Sequence, residues 1–256
     1  MKLRPFSSYE RGMFVTVDGP SGAGKSTIVN HLAQILVASG ADVHVTAEPS
    51  KGPIGDLCRE LTETVTGHAL ACLYAADRYH HVETVVRPHL EDGRTVISDR
   101  YIPSGLVMQR FDGVDPSFLW QLNAEADRPD LAVILEAAPE VISERLTERG
   151  PHNRFQLAPG SSHAEVHFYR QATDRLIQAG FDVLRVDCNQ RPPEKVAGVI
   201  RDRLTTLFAA PRPWPPDARP GTGHLVRQGI DIDVGAALRS GPHVVYSAYR
   251  LSVPGC

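Results

Sequence analysis

Neither sign of charge dominates this chain. Its 256 residues carry 27 Lys and Arg against 30 Asp and Glu, a net charge of -3. That balance offers no global attraction to a nucleic-acid backbone or an anionic lipid surface, so neither is expected as a partner. No apolar run approaches the roughly 20 residues of a bilayer span, so no membrane association is expected. The opening "MKLRPFSSYERG" has no apolar segment of the kind a secretory leader needs. Cysteine is scarce and scattered: Cys58, Cys72, Cys188 and Cys256, without C-x-x-C spacing. This speaks against a zinc site or a disulfide framework and fits reduced thiols in the cytoplasm. The 11 histidines include His80 and His81. No H-E-x-x-H or Cys/His cluster accompanies them, so they read as surface or helix-packing residues. There is no internal repeat, and no N-K-x-D segment to read a guanine base.

What the chain does contain is a regular alternation of strand-like and helix-like segments from residue 13 to 209. The strands are "MFVTVDG", "DVHVTAE", "RTVISD", "LAVILEA" and "DVLRVDC". Between them lie "KSTIVNHLAQILVASG", a short helix from Pro53 through Thr64, a long one over "HALACLYAADRYHHVETVVRPHL", a helix after the third strand and another from Pro116 to Ala126. "PEVISERLTERG" is helical and stops at Gly150; a polar loop, "PHNRFQLAPGSS", precedes helix 163–179, and "PPEKVAGVIRDRLTTLFA" closes the unit. Five apolar strands with helical crossovers predict an α/β fold, a parallel sheet covered on both faces. Residues 1–12 read as an N-terminal arm. After Ala210, "PRPWPPDARPGTG" reads as an extended linker to a C-terminal extension ending at residue 256. That extension is too short for a confident independent core and carries no motif that assigns it a role.

The string "GPSGAGKS", Gly19 to Ser26, is a complete G-x-x-x-x-G-K-[ST] match between the first strand and the first helix. Glycines there let backbone N–H groups face phosphate oxygens, helped by the positive end of the helix. Gly19, Gly22, Gly24, Lys25, Ser26 and Thr27 are the expected ATP-binding set. Lys25 can reach the β- and γ-phosphates, and Ser26 can coordinate Mg²⁺. A chance glycine-rich turn would not be expected to have this strand before it and this helix after it. The loop alone does not choose among kinase, motor and partitioning ATPase; the absent guanine-reading segment counts against a GTPase.

The choice rests on the other strand ends, because ligands in open α/β sheets bind beyond the carboxyl ends of the strands. Those ends carry Asp18-Gly19, Glu48-Pro49 and Asp99-Arg100. Tyr74 and Arg78, in "LYAADR", are four apart and share one helix face. An aromatic can stack on a base, and an arginine can hydrogen-bond base or phosphate oxygens. In their order, "GPSGAGKST", "AEPSKGPIG", "LYAADR", "VISDRYIPS" and "RPDLAVILEAAPEVISERLTERG" resemble the thymidylate kinase family over residues 13–209. The resemblance implies a three-layer P-loop kinase fold with a five-stranded parallel sheet. It also implies transfer of the ATP γ-phosphoryl group to a nucleoside monophosphate, Mg²⁺, and a homodimer. Arg100 would hold the acceptor phosphate, Tyr74 would stack on the base and Arg78 would contact it. Asp18 would lie behind the loop. Glu48, Pro49, Ser104, Gly105, Met108 and Gln109 would line the acceptor pocket. Asp99 would act near the metal with Ser26. Residues 149–162 would form a lid whose Arg149 and Arg154 swing over the transferred group; Arg145 reads as structural. Pro20 to Ala23 supply no cation, which resembles the bacterial subclass with lid arginines.

The departures from the family fall on the substrate side. Ser21 stands where an acid is common, and Ala47 where arginine is common before the Glu-Pro pair. The window that tends to read S-x-x-A-Y-Q is Ser104-Gly105-Leu106-Val107-Met108-Gln109. Met108 thus takes the tyrosine position against the sugar. Gly105 takes a position that often contacts the pyrimidine edge, and Tyr74 replaces the usual Phe. A site that loses hydrogen bonds to a substrate loses discrimination. Two acceptors stay open: dTMP with compensating residues elsewhere, or a modified or ribo-pyrimidine monophosphate. Two further alternatives are a deoxynucleoside kinase with Glu48 as base and a nucleotide-binding regulatory module without catalysis.

Overall fold

A computed structural model describes residues 11–150, 154–156 and 160–208. Most of the N-terminal arm, part of the expected lid and the extension from 210 lie outside the described residues, as does the side chain of Arg149. Five strands form one parallel sheet: β1 (Phe14–Asp18), β2 (Val43–Ala47), β3 (Thr95–Asp99), β4 (Leu131–Glu136) and β5 (Val183–Asp187). Their spatial order is β2-β3-β1-β4-β5, and every pairing is parallel. The helices are α1 (Lys25–Ala38), α2 (Pro53–Leu61), α3 (Gly67–His81), α4 (Arg87–Glu91), α5 (Ile102–Met108), α6 (Pro116–Leu122), α7 (Pro139–Arg149), α8 (Ser161–Gln178) and α9 (Pro193–Phe208). The α/β fold with five parallel strands is therefore as expected.

Two expected elements differ in detail. The single long helix before β3 is divided: α3 runs into a π-helical turn, Val82–Val86, and then α4. Pro88 explains the change, since it brings no N–H to the ladder and the turn before it widens to accommodate its ring. The expected loop before α8 contains a 3-10 turn at Arg154–Gln156, and α8 already begins at Ser161.

The strand period of two sets the site. In β1, Val15 and Val17 join an apolar layer with Ile28 and Leu32 of α1 and Ile200 of α9. Phe14 joins the opposite layer with Leu70 of α3, Val107 of α5 and Tyr169 of α8. Alternation carries Asp18 onto the face of Phe14, toward α5. In β3, Ile97 lies in the α1 layer, and the same alternation carries Asp99 onto that face. Val17 is paired with Asp99. Neighbouring strand ends thus present their carboxylates to opposite sides of the sheet, one toward α5 and one toward α1.

Candidate active site

The phosphate loop turns out of β1 at Gly19, whose φ is 148°. A Cβ there would stand 2.7 Å from the Leu135 carbonyl oxygen, so this position takes glycine for closeness as well as for φ. The loop feeds the N-terminus of α1, which has no acidic residue in its first turn to compete with an anion. Lys25 is buried, and its Nζ donates to the carbonyls of Gly19 at 2.8 Å and Pro20 at 2.9 Å. Burial, with Arg100 next, lowers its pKa to about 7 against the pull of Glu165, Asp99 and Asp18. Thr27 is exposed at the helix start. Arg145 ties the loop down: it donates to the Gly22 carbonyl at 3.3 Å and to those of Cys188 and Asn189 at 3.0 and 3.2 Å. Its structural reading agrees with these contacts.

Ser26 Oγ donates to Asp99 Oδ2 at 2.5 Å, while Asp99 Oδ1 is buried without a partner among the described residues. Asp18 is buried behind the loop. Its Oδ1 accepts from Tyr101 N and Ser104 N, both at 3.0 Å, and from Ser104 Oγ at 2.7 Å. Burial raises its pKa despite these bonds. Among the described residues no group of three or more His, Cys, Asp or Glu is placed to hold a metal by itself.

Two arginines of the acceptor side behave oppositely. Arg78 is 2% exposed and fully engaged. Its Nε donates to Glu48 Oε2 at 2.9 Å, with Nη2 2.8 Å from the same oxygen in the ion pair; Nη1 donates to Asn123 Oδ1, and Nη2 donates to the Tyr101 carbonyl at 3.1 Å. His81 Nδ1 lies 3.3 Å from the other Glu48 oxygen. Arg78 is therefore a buried strut of the wall, and the structure does not bring its guanidinium to an open base site. Arg100 follows β3 with φ 78°, the one described non-glycine residue with positive φ. Such a conformation is costly for arginine and marks a position held for a purpose. Among the described residues its guanidinium has a single long hydrogen bond, 3.4 Å to Ser104 Oγ. It remains available for an anion.

The rest of the wall is stitched by short bonds. Ser50, two residues after Glu48, donates through N and Oγ to Asp77 at 2.7 and 2.6 Å. Arg59 donates to the carbonyls of Pro49 and Ser50 at 2.7 and 2.8 Å. The half-buried Tyr74 places its hydroxyl 2.8 Å from Thr62 Oγ1. Gln109 is buried with Nε2 unpaired among the described residues.

Gly105, Met108 and Arg154 each make contacts that the sequence did not announce. A Cβ on Gly105 would lie 3.1 Å from Arg78 Nη1 and 3.3 Å from Nη2, so the missing side chain makes room for the strut. Met108 belongs to the apolar layer that contains Val107, Phe155 and Tyr169. Arg154, expected to act from a lid, lies beside Thr62 and Asp112. Its guanidinium is bound to Asp112 at 2.6 and 2.7 Å and to the Thr62 carbonyl at 2.7 Å, not gathered with Lys25 and Asp99. The site also holds residues the sequence reading passed over: Asn123 and His81 on the strut, and Glu165 and Tyr169 on α8. For the last two a signal existed. Ser162, Glu165, Val166, Tyr169, Thr173 and Leu176 trace the buried face of α8, so the helical period places a glutamate on an apolar face.

The parallel sheet, the phosphate loop at its switch point and the charged strand ends define a P-loop nucleotide phosphotransferase. Within that class, the chain belongs to the thymidylate kinase family: the family model described as Thymidylate kinase matches residues 17–196. It is 38% identical over 208 residues to a thymidylate kinase of Clavibacter michiganensis subsp. michiganensis, covering 78% of this chain and 97% of that one. It is 34% identical over 193 residues to a probable thymidylate kinase of Pyrobaculum aerophilum, covering 73% and 93%. It is 34% identical over 217 residues to a thymidylate kinase of Nitratidesulfovibrio vulgaris, covering 78% and 100%. Among the described residues no helix is long and apolar enough to cross a membrane.

Proposed function

We infer that this chain transfers the γ-phosphoryl group of ATP to the 5′-phosphate of dTMP. One observation carries the reading. Arg100, an arginine held in a costly backbone conformation and nearly free of protein partners, lies within charge range of the phosphate-loop Lys25. Two anion-binding centres side by side suit a donor phosphate and an acceptor phosphate. The family's relatives are named for the same chemistry.

An acceptor phosphate is already a nucleophile, so the protein need only position and neutralise. The loop N–H groups and the α1 terminus hold the donor phosphates. Lys25 exchanges two loop carbonyls for phosphate oxygens, and Arg100 aligns the acceptor phosphate. The unpaired Asp99 Oδ1 and the adjacent Ser26 hydroxyl fit a Mg²⁺ site, since this ion takes one or two carboxylates and shares the substrate's phosphates. Ser26 and Asp99 would hold the ion, which would supply charge neutralisation at the donor phosphates. Tyr74 offers a face to the base, and Gln109 Nε2 offers a donor to it. Arg154 would reach the phosphoryl group only by releasing Asp112. Lid closure would then exchange one anion for another.

Glu48 speaks against the nucleoside-kinase alternative. Its carboxylate is committed to Arg78 and His81 and is not free to take a hydroxyl proton. The test is a coupled assay of the full chain with ATP against dTMP, dUMP, UMP, CMP and thymidine. dTMP is expected to have the highest kcat/KM. Comparable rates on UMP or CMP would favour the relaxed-acceptor alternative, and efficient phosphorylation of thymidine would overturn the acceptor assignment.

A further inference from the structure

The phosphate loop is held by a carboxylate from another element. Glu165 of α8 is 3% exposed, and its Oε1 accepts from Ser21 N at 2.9 Å and from Ser21 Oγ at 3.1 Å. Its Oε2 accepts no hydrogen bond among the described residues. The carboxylate is near enough to Lys25 and Arg100 to favour the charge of both. Four residues along α8, on the same face, the Tyr169 hydroxyl lies 3.0 Å from Ser104 Oγ. Ser104 Oγ in turn donates to Asp18. Two side chains thus pin α8 to the site, one on the loop and one on the acceptor wall.

A buried carboxylate between two phosphate-binding cations works against them, because it offsets their pull on phosphate. Bracing the loop does not require a charge; a neutral amide oxygen would serve Ser21 as well. An ionised carboxylate is an acceptor only. On a nucleoside monophosphate it can therefore recognise only a donor group. The phosphate has none when fully ionised. On the acceptor reading above, the base faces Tyr74, whose hydroxyl is held by Thr62 and not by the loop. Between phosphate and base lies the sugar, and the deoxyribose of dTMP carries one free hydroxyl, on C3′. We propose that Glu165 reads the acceptor's 3′-hydroxyl through Oε2, fixing the sugar while Arg100 fixes the phosphate. The inference rests on the acceptor reading above. It also gives a meaning to Ser21: the loop position without the common acid is the one on which a carboxylate from α8 closes.

The test uses the full chain with saturating ATP and two acceptors, dTMP and 3′-deoxythymidine monophosphate. Wild type is expected to favour dTMP by about tenfold to hundredfold in kcat/KM, the range of one charge-assisted hydrogen bond. Glu165→Gln should erase most of that preference by losing activity on dTMP, while activity on the 3′-deoxy acceptor and affinity for ATP hold or rise, because the charge that offset Lys25 and Arg100 is gone. Glu165→Asp should retain part of it. Each preference is a ratio within one preparation, so the folded fraction cancels. Equal losses on both acceptors, or a raised KM for ATP, would show a loop brace and overturn the inference. So would a wild type without preference, or a Glu165→Gln variant that keeps it. Wild-type inactivity on dTMP would overturn the proposed function together with this inference; the other adverse outcomes remove this inference alone.

Discussion

On the proposed reading, the donor half of the site is one string of sequence, whereas the acceptor half is assembled from four. Gly19 to Thr27 supply the loop, its lysine and its hydroxyl, and Arg145 and Glu165 only brace the turn from outside. The acceptor wall takes Glu48 to Ser50 from the end of β2, Tyr74 to Arg78 from α3, Arg100 to Gln109 from the end of β3, and Glu165 and Tyr169 from α8. A contiguous motif has nowhere to move its groups, because each backbone N–H is fixed by the same turn. A distributed wall can lose a group in one segment and gain one in another. Ser21 and Glu165 show this in outline, and Gly105 and Arg78 show it in packing.

The contrast between the two arginines is the sharpest way to break that picture. Arg78→Ala leaves Glu48 buried beside His81 without its main partner. Removing one member of a buried ion pair costs about 3–5 kcal/mol, so the variant should melt far earlier than wild type in a thermal scan. Lys25→Ala should do the reverse, keeping the fold and lowering kcat by about 10² to 10³-fold or more. The same lysine adds a pH signature. Its pKa of about 7 in the nucleotide-free protein lies below that of an unfolded lysine, so the unfolded chain holds more protons between those values. Its contribution to stability should therefore improve as pH rises through that window. ATP, by adding negative charge, should restore the proton, giving an uptake of about one proton on binding at pH 8 by calorimetry in two buffers. Arg100→Ala should leave melting nearly unchanged and reduce kcat/KM for the acceptor by about tenfold to hundredfold, with the KM for ATP unmoved. If Arg78→Ala were the kinetic variant and Arg100→Ala the unstable one, their assignments would have to be exchanged.

The fold was legible because its signals are local and repeated. Each strand is a short apolar run, each crossover has helical period, and the phosphate loop fixes the switch point. The strand ends were legible for the same reason: Asp18 and Asp99-Arg100 each end or follow a buried run, and Glu48 follows the alternating, partly buried edge strand β2. Which way a side chain faces was harder. Arg78 and Tyr74 share a helix face in the sequence, but only the packed structure shows Asn123 and Glu48 capturing the arginine. The role of Glu165 depends on contact with Ser21, 144 positions away in sequence. No periodicity reports such a pairing, although a glutamate on the buried face of α8 marked the residue as unusual.

The smallest expected effect bears on the departure that looked most like a loosened pocket. If Gly105 enlarges the base site, Gly105→Ala should narrow acceptor choice and leave stability alone. The structure points the other way. The added methyl would meet two guanidinium nitrogens at 3.1 and 3.3 Å, and that group is fixed by Glu48, Asn123 and the Tyr101 carbonyl. Arg78 can yield only by lengthening bonds that bury its charge. Overpacking of this kind costs about 1–3 kcal/mol, and a few tenths of an ångström of movement places Gly105→Ala toward the lower end. The expected result is a lower melting temperature with the ratio of dTMP to UMP turnover unchanged. A shifted ratio at constant stability would return Gly105 to the acceptor pocket. It would also mean that the wall of this site adapts by loss as well as by exchange.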